Sequence, residues 1–316
     1  MVDFIFSENF LYSAILFSLP ILFAAFGAFI SNKVGMLNIN IEGSMSVAAM
    51  TGALVSHFAS SWLLGVLSAV LAGVAMSMIL TFASLKLKNS SILTGIALNT
   101  FATGLCIFVL YSVLGTKGDS SGAPSAMIPS IEIPLLSDIP VIGKPLFGQN
   151  LLFYVAIISI VAVKIMLDKT KLGLHIKSVG YNEEAAASVG IKVDRTKVWA
   201  LILCGVFAGL GGAFLSMAYL SYFSAGMVSG RGFIGLAAEA MGSGMPGLIT
   251  LFAFLFGAVD YFAVGAQAVL GVPYQLLNTL PYIMTVIAMV TYAVVSQKRQ
   301  QRQLYGKNRN GKDDNL

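Results

Sequence analysis

Long apolar runs separated by short polar breaks make up most of this chain, and the runs predict membrane-crossing helices over Phe10–Ile30, Ser44–Phe58, Trp62–Leu85, Ile92–Leu114, Leu151–Leu167, Val198–Leu220, Phe233–Met245, Leu248–Ala266 and Leu276–Val295. A lipid-spanning helix needs about 20 largely apolar residues, fewer where neighbouring helices shield it. The second and seventh runs are short and rich in Gly, Ala and Ser, which marks each as a candidate for a broken or re-entrant segment. Irregular backbone of that kind survives at membrane depth only when buried in protein or lining a wet cavity. The expected fold is an all-α integral membrane protein, a polytopic helical bundle of about nine spans (eight to ten).

Lysine and arginine then orient the runs. Lys33, Lys86, Lys88, the cluster from Lys164 to Lys197 and the tail Lys298–Lys312 fall on one side; Lys117, Lys144 and Arg231 fall on the other. By the positive-inside rule the N-terminus is outside and the C-terminus cytoplasmic. Residues 1–296 read as one transmembrane domain with an extracellular loop, 116–150, and a cytoplasmic segment, 168–197. The loop carries Pro124, Pro129, Pro134, Pro140 and Pro145, which forbids a continuing helix, and it reads equally as a connector or as a docking surface for an external partner. The basic tail, 297–316, is expected to be disordered or to lie on anionic lipid.

Within the cytoplasmic segment lies a short helix with its own stops. Asn182 is a good N-cap, Glu183 and Glu184 occupy the first turn where the helix dipole favours them, and Gly190 can end the helix after Ala185, Ala186 and Ala187. Farther on, Gly205, Gly209, Gly212 and Ser216 recur along one helical face, a pattern for close helix packing in lipid.

Composition agrees with a bilayer as solvent. The chain of 316 residues is 57% hydrophobic and 10% charged, against about 25% charged in soluble domains. Asp3 and Glu8 precede the first apolar run without any Lys or Arg, so no cleavable signal peptide is expected. Cys106 and Cys204 both sit in apolar runs and read as small hydrophobes. The net charge of +5 reflects topology and implies the lipid bilayer, not nucleic acid, as partner. No phosphate-binding loop, metal-ligand spacing or nucleophile–base pair is present, which argues against an enzyme, a bound cofactor or a metal.

Ionisable groups within spans cost on the order of 2.5–3.5 kcal/mol each, so each asks for a reason. Glu239 and Asp260 are two such groups. Arg231 precedes Glu239 by about 12 Å of helix rise, too far for direct contact. Glu239 therefore needs a partner on another helix, a cavity or protonation, and reads equally as a pathway residue or a bundle contact. Asp260 reads as a structural acceptor before a functional one. Asn38, Asn40 and Glu42 precede the second span, where they form a helix start or an inner gate. Asn99 in the fourth span and Gln275 before the last complete the candidate pathway residues. An ion-coupled transporter using Glu239 and Asp260, and a scaffold without transport, are the competing readings.

Val179-Gly180-Tyr181-Asn182-Glu183-Glu184-Ala185-Ala186 through Gly190-Ile191 resembles the coupling loop of ABC-importer permeases, whose pattern is Glu-Ala-Ala with a glycine after three more residues. Asn38-Ile39 with Ile41-Glu42-Gly43, Gly230-Arg231-Gly232-Phe233-Ile234, and Pro273-Tyr274-Gln275-Leu276-Leu277 with Leu280-Pro281-Tyr282 extend the resemblance. Together they are similar to the branched-chain amino acid and simple-sugar permease superfamily, and within it to nucleoside-type permeases. Asn40 stands where the family commonly has Gly, and Glu183 where Pro often precedes the motif.

The resemblance implies a multi-pass cell-membrane subunit of a binding-protein-dependent importer, with simple sugars such as ribose as the alternative cargo. Its implied partners are cytoplasmic ABC ATPase subunits that hold ATP and magnesium, a second homologous permease in a heterodimer rather than a homodimer, and an extracellular substrate-binding lipoprotein. Asn182, Glu183, Glu184, Ala185, Ala186 and Gly190 would couple the ATPase to the spans.

Overall fold

In a computed structural model of the chain, the described residues are 8–131 and 147–270, with the single positions 279, 283 and 286. Gln275, the tail 297–316, part of the predicted outer loop and nearly all of the predicted span Leu276–Val295 lie outside them.

The described residues form helices α1 (Glu8–Lys33), α2 (Ile41–Phe58), α3 (Trp62–Leu85), α4 (Ser91–Leu114), α5 (Leu151–Lys169), α6 (Lys171–Tyr181), α7 (Glu183–Ser188), α8 (Val193–Phe214), α9 (Arg231–Met241) and α10 (Pro246–Leu270). A π-helical turn, Leu215–Tyr219, extends α8. Six of these, α1, α3, α4, α5, α8 with its extension, and α10, are long and apolar enough to cross a membrane. The remaining two predicted runs became α2 and α9. At 11 residues, α9 rises only about 16 Å, too little to cross a bilayer of about 30 Å by itself.

Apolar residues surround α1 on every side, and the helix occupies the centre, packed by α8, α9 and α10. Phe23, Phe26, Phe29, Ile21 and Ile30 are fully buried there. Peripheral helices turn Leu71, Phe108, Ile158 and Leu255 outward, an arrangement suited to an apolar solvent or to partner subunits.

The glycine stripe of α8 decides how closely its neighbours approach. Gly205 and Gly209 lie against the backbone of α3, where an added Cβ would sit 2.6 Å and 2.5 Å from the Cα atoms of Val74 and Val70. Gly212 lies against the carbonyl of Met45 on α2. Without a hydrophobic drive between helices in lipid, such backbone contact is a main source of association. Gly205→Val is expected to separate α3 from α8 and to cost about 1–3 kcal/mol or more as overpacking. The check is the thermal aggregation midpoint in detergent, where an unchanged midpoint would count against the contact.

At the end opposite Lys33, residues 116–131 fold over the chain that leaves α8. Ser120 N–H donates to Phe223 O (2.8 Å), Ser125 N–H to Ser221 O (2.7 Å) and Ile128 N–H to Met217 O (2.9 Å). The last of these takes a carbonyl within the π-helical turn. Beside them, the Asp119 carboxylate accepts from the backbone N–H and hydroxyl of Ser121 at 3.0 and 2.6 Å, which holds it below the usual carboxylate range. The stabilisation from that turn is present above the ordinary carboxylate pKa and is lost as pH falls through the lowered one.

Candidate functional site

Helix α2 does not start at the end of the bundle. From Lys33 the chain turns back without helical structure through Gly35–Asn40 and enters the interior before winding up at Ile41. The Asn40 amide donates to Ser44 Oγ (3.0 Å) and to Met76 O on α3 (3.4 Å). Met76 lies nine residues before the end of α3, about 14 Å of rise, so the start of α2 is well inside the bundle.

Buried backbone of this kind must be satisfied from outside its own helix. Asn99 of α4 does so twice, donating from Nδ2 to Ile39 O (3.0 Å) and accepting Gly43 N–H at Oδ1 (2.8 Å). Asn38 accepts Asn40 N–H (2.9 Å) and donates to Cys204 Sγ (3.2 Å). Asn40 occupies the N-cap position yet makes no capping bond with its side chain. The helix start expected from Asn38-Ile39-Asn40 alone is thus capped by a side chain of another helix.

Glu42 faces away from its own helix. Its Oε1 accepts Gly230 N–H and its Oε2 accepts Gly232 N–H, both at 2.8 Å. These amides open α9, so one carboxylate lies between the positive ends of two helix dipoles. The contact is close enough that a Cβ on Gly232 would lie 2.7 Å from Glu42 Oε2.

Between those two amides Arg231 projects to the other side. Its Nη2 meets Asp260 Oδ2 of α10 at 2.9 Å, its Nη1 donates to Met227 O at 3.1 Å, and its guanidinium lies over the rings of Phe17 and Tyr219. Asp260 is therefore held in an ion pair. Glu239 lies apart, near the Lys33 end, where the Asn32 amide donates to both carboxylate oxygens at 3.1 Å. The structure brings Asn38, Asn40, Glu42 and Asn99 together, attaches Asp260 through Arg231, and leaves Glu239 separate.

A cavity of about 470 Å³ opens sideways from this junction, lined by Glu42, Ser46, Asn99, Thr100, Thr103 and Phe233 among others. The hydroxyls of Thr100 and Thr103 donate back to the carbonyls of Ile96 and Asn99, which leaves their oxygens as acceptors. A carboxylate, an amide and hydroxyls beside an aromatic ring suit a polar solute with an apolar face. The candidate residues read from sequence omit Ser46, Thr100, Thr103 and Arg231. Asn99, Thr100 and Thr103 are nevertheless visible as a polar patch in an apolar run, and that signal finds them.

The second place is the polar segment between α5 and α8. Thr170 caps α6 by accepting Gly173 N–H (3.1 Å), and Asn182 caps α7 by accepting Ala185 N–H (2.9 Å). Beyond α7, Gly190 N–H donates to Ala187 O (2.9 Å) and Ile191 N–H to Ala186 O (3.1 Å). With Gly190 at φ +86°, this is a Schellman stop, a conformation that glycine accepts without strain. Glu183 pairs with Lys197. Glu184, Ala185 and Ala187 are exposed, and Tyr181 and Val189 are 95% and 76% exposed. Ala186 points inward and is buried, so of the three alanines only Ala185 and Ala187 face outward, with Ala186 anchoring the helix.

A family model described as the branched-chain amino acid transport system permease component matches residues 10–295. The nucleoside ABC transporter permease protein NupC of Lactococcus lactis subsp. cremoris is 32% identical, over 88% of this chain and 90% of its own length. The guanosine ABC transporter permease protein NupQ of Bacillus subtilis is 30% identical, over 89% and 90%. The putative glucose ABC transporter permease protein TsgC13 of Haloferax volcanii is also 30% identical, over 87% and 88%.

Proposed function

The chain belongs to the family of branched-chain amino acid transport system permease components, and on that premise we propose that it imports nucleosides as a membrane-spanning subunit of an ATP-driven transporter. The observation that carries the substrate class is the similarity, across nearly the whole length, to permeases named for nucleosides and guanosine. The glucose-permease relative favours a second reading, a sugar such as ribose. Both cargoes are polar and share hydroxyls that the acceptor-rich cavity at Asn99, Thr100 and Thr103 suits.

In this reading α1 begins outside, and the end that gathers Lys33, Lys86, Lys88, Lys164, Lys169 and Lys192 is cytoplasmic, in keeping with the positive-inside rule. The chain crosses the bilayer about nine times, with α9 completing a crossing together with the non-helical segment 220–230 before it. ATPase subunits dock on α7, where the exposed Glu184 has no hydrogen bond or ion pair among the described residues. A second, related permease completes the pathway at the lateral cavity, and a substrate-binding lipoprotein delivers cargo to the outer loop. The stops at both ends of α7 make it a stiff lever between ATPase closure and movement of α5 and α8.

Uptake of labelled uridine, guanosine and ribose in cells with and without the gene tests the substrate. Loss of nucleoside uptake alone is expected; loss of ribose uptake alone would transfer the chain to the sugar reading. Glu184→Ala is expected to lower uptake roughly ten-fold, the effect of about 1.4 kcal/mol at an interface, with membrane insertion unchanged. Full uptake by that variant would remove α7 as the coupling element.

A further inference from the structure

Away from the lateral cavity, the lysine-rich end of the bundle holds a pocket of about 610 Å³ between α1, α5, α6 and the start of α10. Lys33, Lys164 and Lys177 line it, against a single lining carboxylate, Asp168, which pairs with Lys177. Among the described residues, Lys33 and Lys164 are in no ion pair. Lys33 lies over the ring of Phe29, and the first turn of α10, from Pro246 to Leu248, adds the positive end of a 25-residue helix. The pocket therefore has a net excess of positive charge.

A second cavity adjoins it. Gly247 lines both, and from there an apolar groove of about 480 Å³ follows α1, α5 and α10 towards the opposite end, past Leu22, Leu19, Ile160, Ile157, Leu251 and Phe254. Ile160 lies one turn above Lys164 on α5. A cationic pocket at the end of the spans, joined to an apolar groove along their flank, has the charge and shape of a head and a tail.

We propose that this pair of cavities binds an anionic phospholipid, with the phosphate among Lys33, Lys164, Lys177 and the start of α10, and an acyl chain in the groove. The site is independent of which solute is carried. The headgroup would join α1 and α10, at the base of the bundle, to α5 and α6, the arm that leads to α7. Occupancy thus stiffens the connection through which ATPase closure reaches the spans.

Native mass spectrometry of the assembled transporter, released from nanodiscs, tests this. From discs containing phosphatidylglycerol, a retained phosphatidylglycerol is expected, and from phosphatidylcholine alone none. Lys33→Gln, Lys164→Gln and Lys177→Gln are each expected to weaken retention about five-fold, the effect of one lysine beside an anionic headgroup. Lys86→Gln, on another part of the same surface, leaves retention unchanged. Ile157→Trp, which fills the groove without touching a charge, also lowers it. Equal retention of the two lipids, retention indifferent to the lysine substitutions, or displacement of the lipid by inorganic phosphate would each overturn the proposal, the last by showing a site for a free anion.

Discussion

Asp260→Ala is expected to lower the stability of this permease by up to about 3 kcal/mol, the lower end of the cost of removing one partner from a buried ion pair and stranding the other, because this pair is part-buried. The side-chain exposures are 11% for Arg231 and 16% for Asp260. After the substitution the guanidinium keeps, among the described residues, Met227 O, the ring faces of Phe17 and Tyr219 and the more distant charge of Glu42. Those contacts do not replace a carboxylate at 2.9 Å. Replacing both residues with apolar side chains, Arg231→Met with Asp260→Leu, is expected to recover most of the loss, because no unpaired charge remains. Thermal unfolding of the purified permease, wild type, single variants and double variant, measures the coupling. Additive losses would show that the two side chains do not act as a pair. A relay of protons between Glu239 and Asp260 predicts instead that Asp260→Ala removes uptake at unchanged stability.

Glu42→Gln is expected to have the largest effect on transport for the smallest change in shape. The amide keeps one acceptor and turns an NH₂ towards a backbone N–H of Gly230 or Gly232, so one bond becomes a clash of donors. Each hydrogen bond to a charged group contributes about 1.5–3 kcal/mol, and the loss of charge between two helix N-termini adds up to about 2 kcal/mol. Freed from α2, α9 loses its hold at the end nearest the cavity, and Phe233 moves with it. Uptake normalised to membrane-inserted protein, with accessibility of a cysteine placed at Phe233, reports both consequences. Glu239→Gln is the control, since a glutamine there still accepts from Asn32, and its effect is expected to be smaller. Equal effects from the two variants would remove the special place given to Glu42.

Helix positions were legible in the chain to within a few residues. Trp62–Leu85 has the same bounds in sequence and structure, and Ile92–Leu114 differs by one residue. The hydropathy of a segment measures its own transfer from water, which needs no knowledge of neighbours. The stops around Glu183–Ser188 were legible for a related reason: Asn182 accepts an N–H three residues away, and Gly190 supplies its own left-handed turn. The family resemblance also rested on short contiguous motifs, and the family match over residues 10–295 agrees with it.

The sequence by itself therefore determined which of the described apolar segments are helices, where the capped α7 begins and ends, and that the whole belongs in a membrane, because those properties are set by residues adjacent along the chain; α6, a surface helix without a long apolar run, was not among its readings. Only the tertiary structure decided that Glu42 joins amides some 190 residues away, that Asn99 caps a helix other than its own, and that Arg231 takes Asp260 and leaves Glu239 to Asn32. In an apolar interior every buried polar group must find a partner, but many pairings satisfy that demand equally well on paper. Which of them forms depends on how the helices cross, and the crossings here are set by backbone contact at Gly205, Gly209 and Gly212 and by the depth at which α2 and α9 begin.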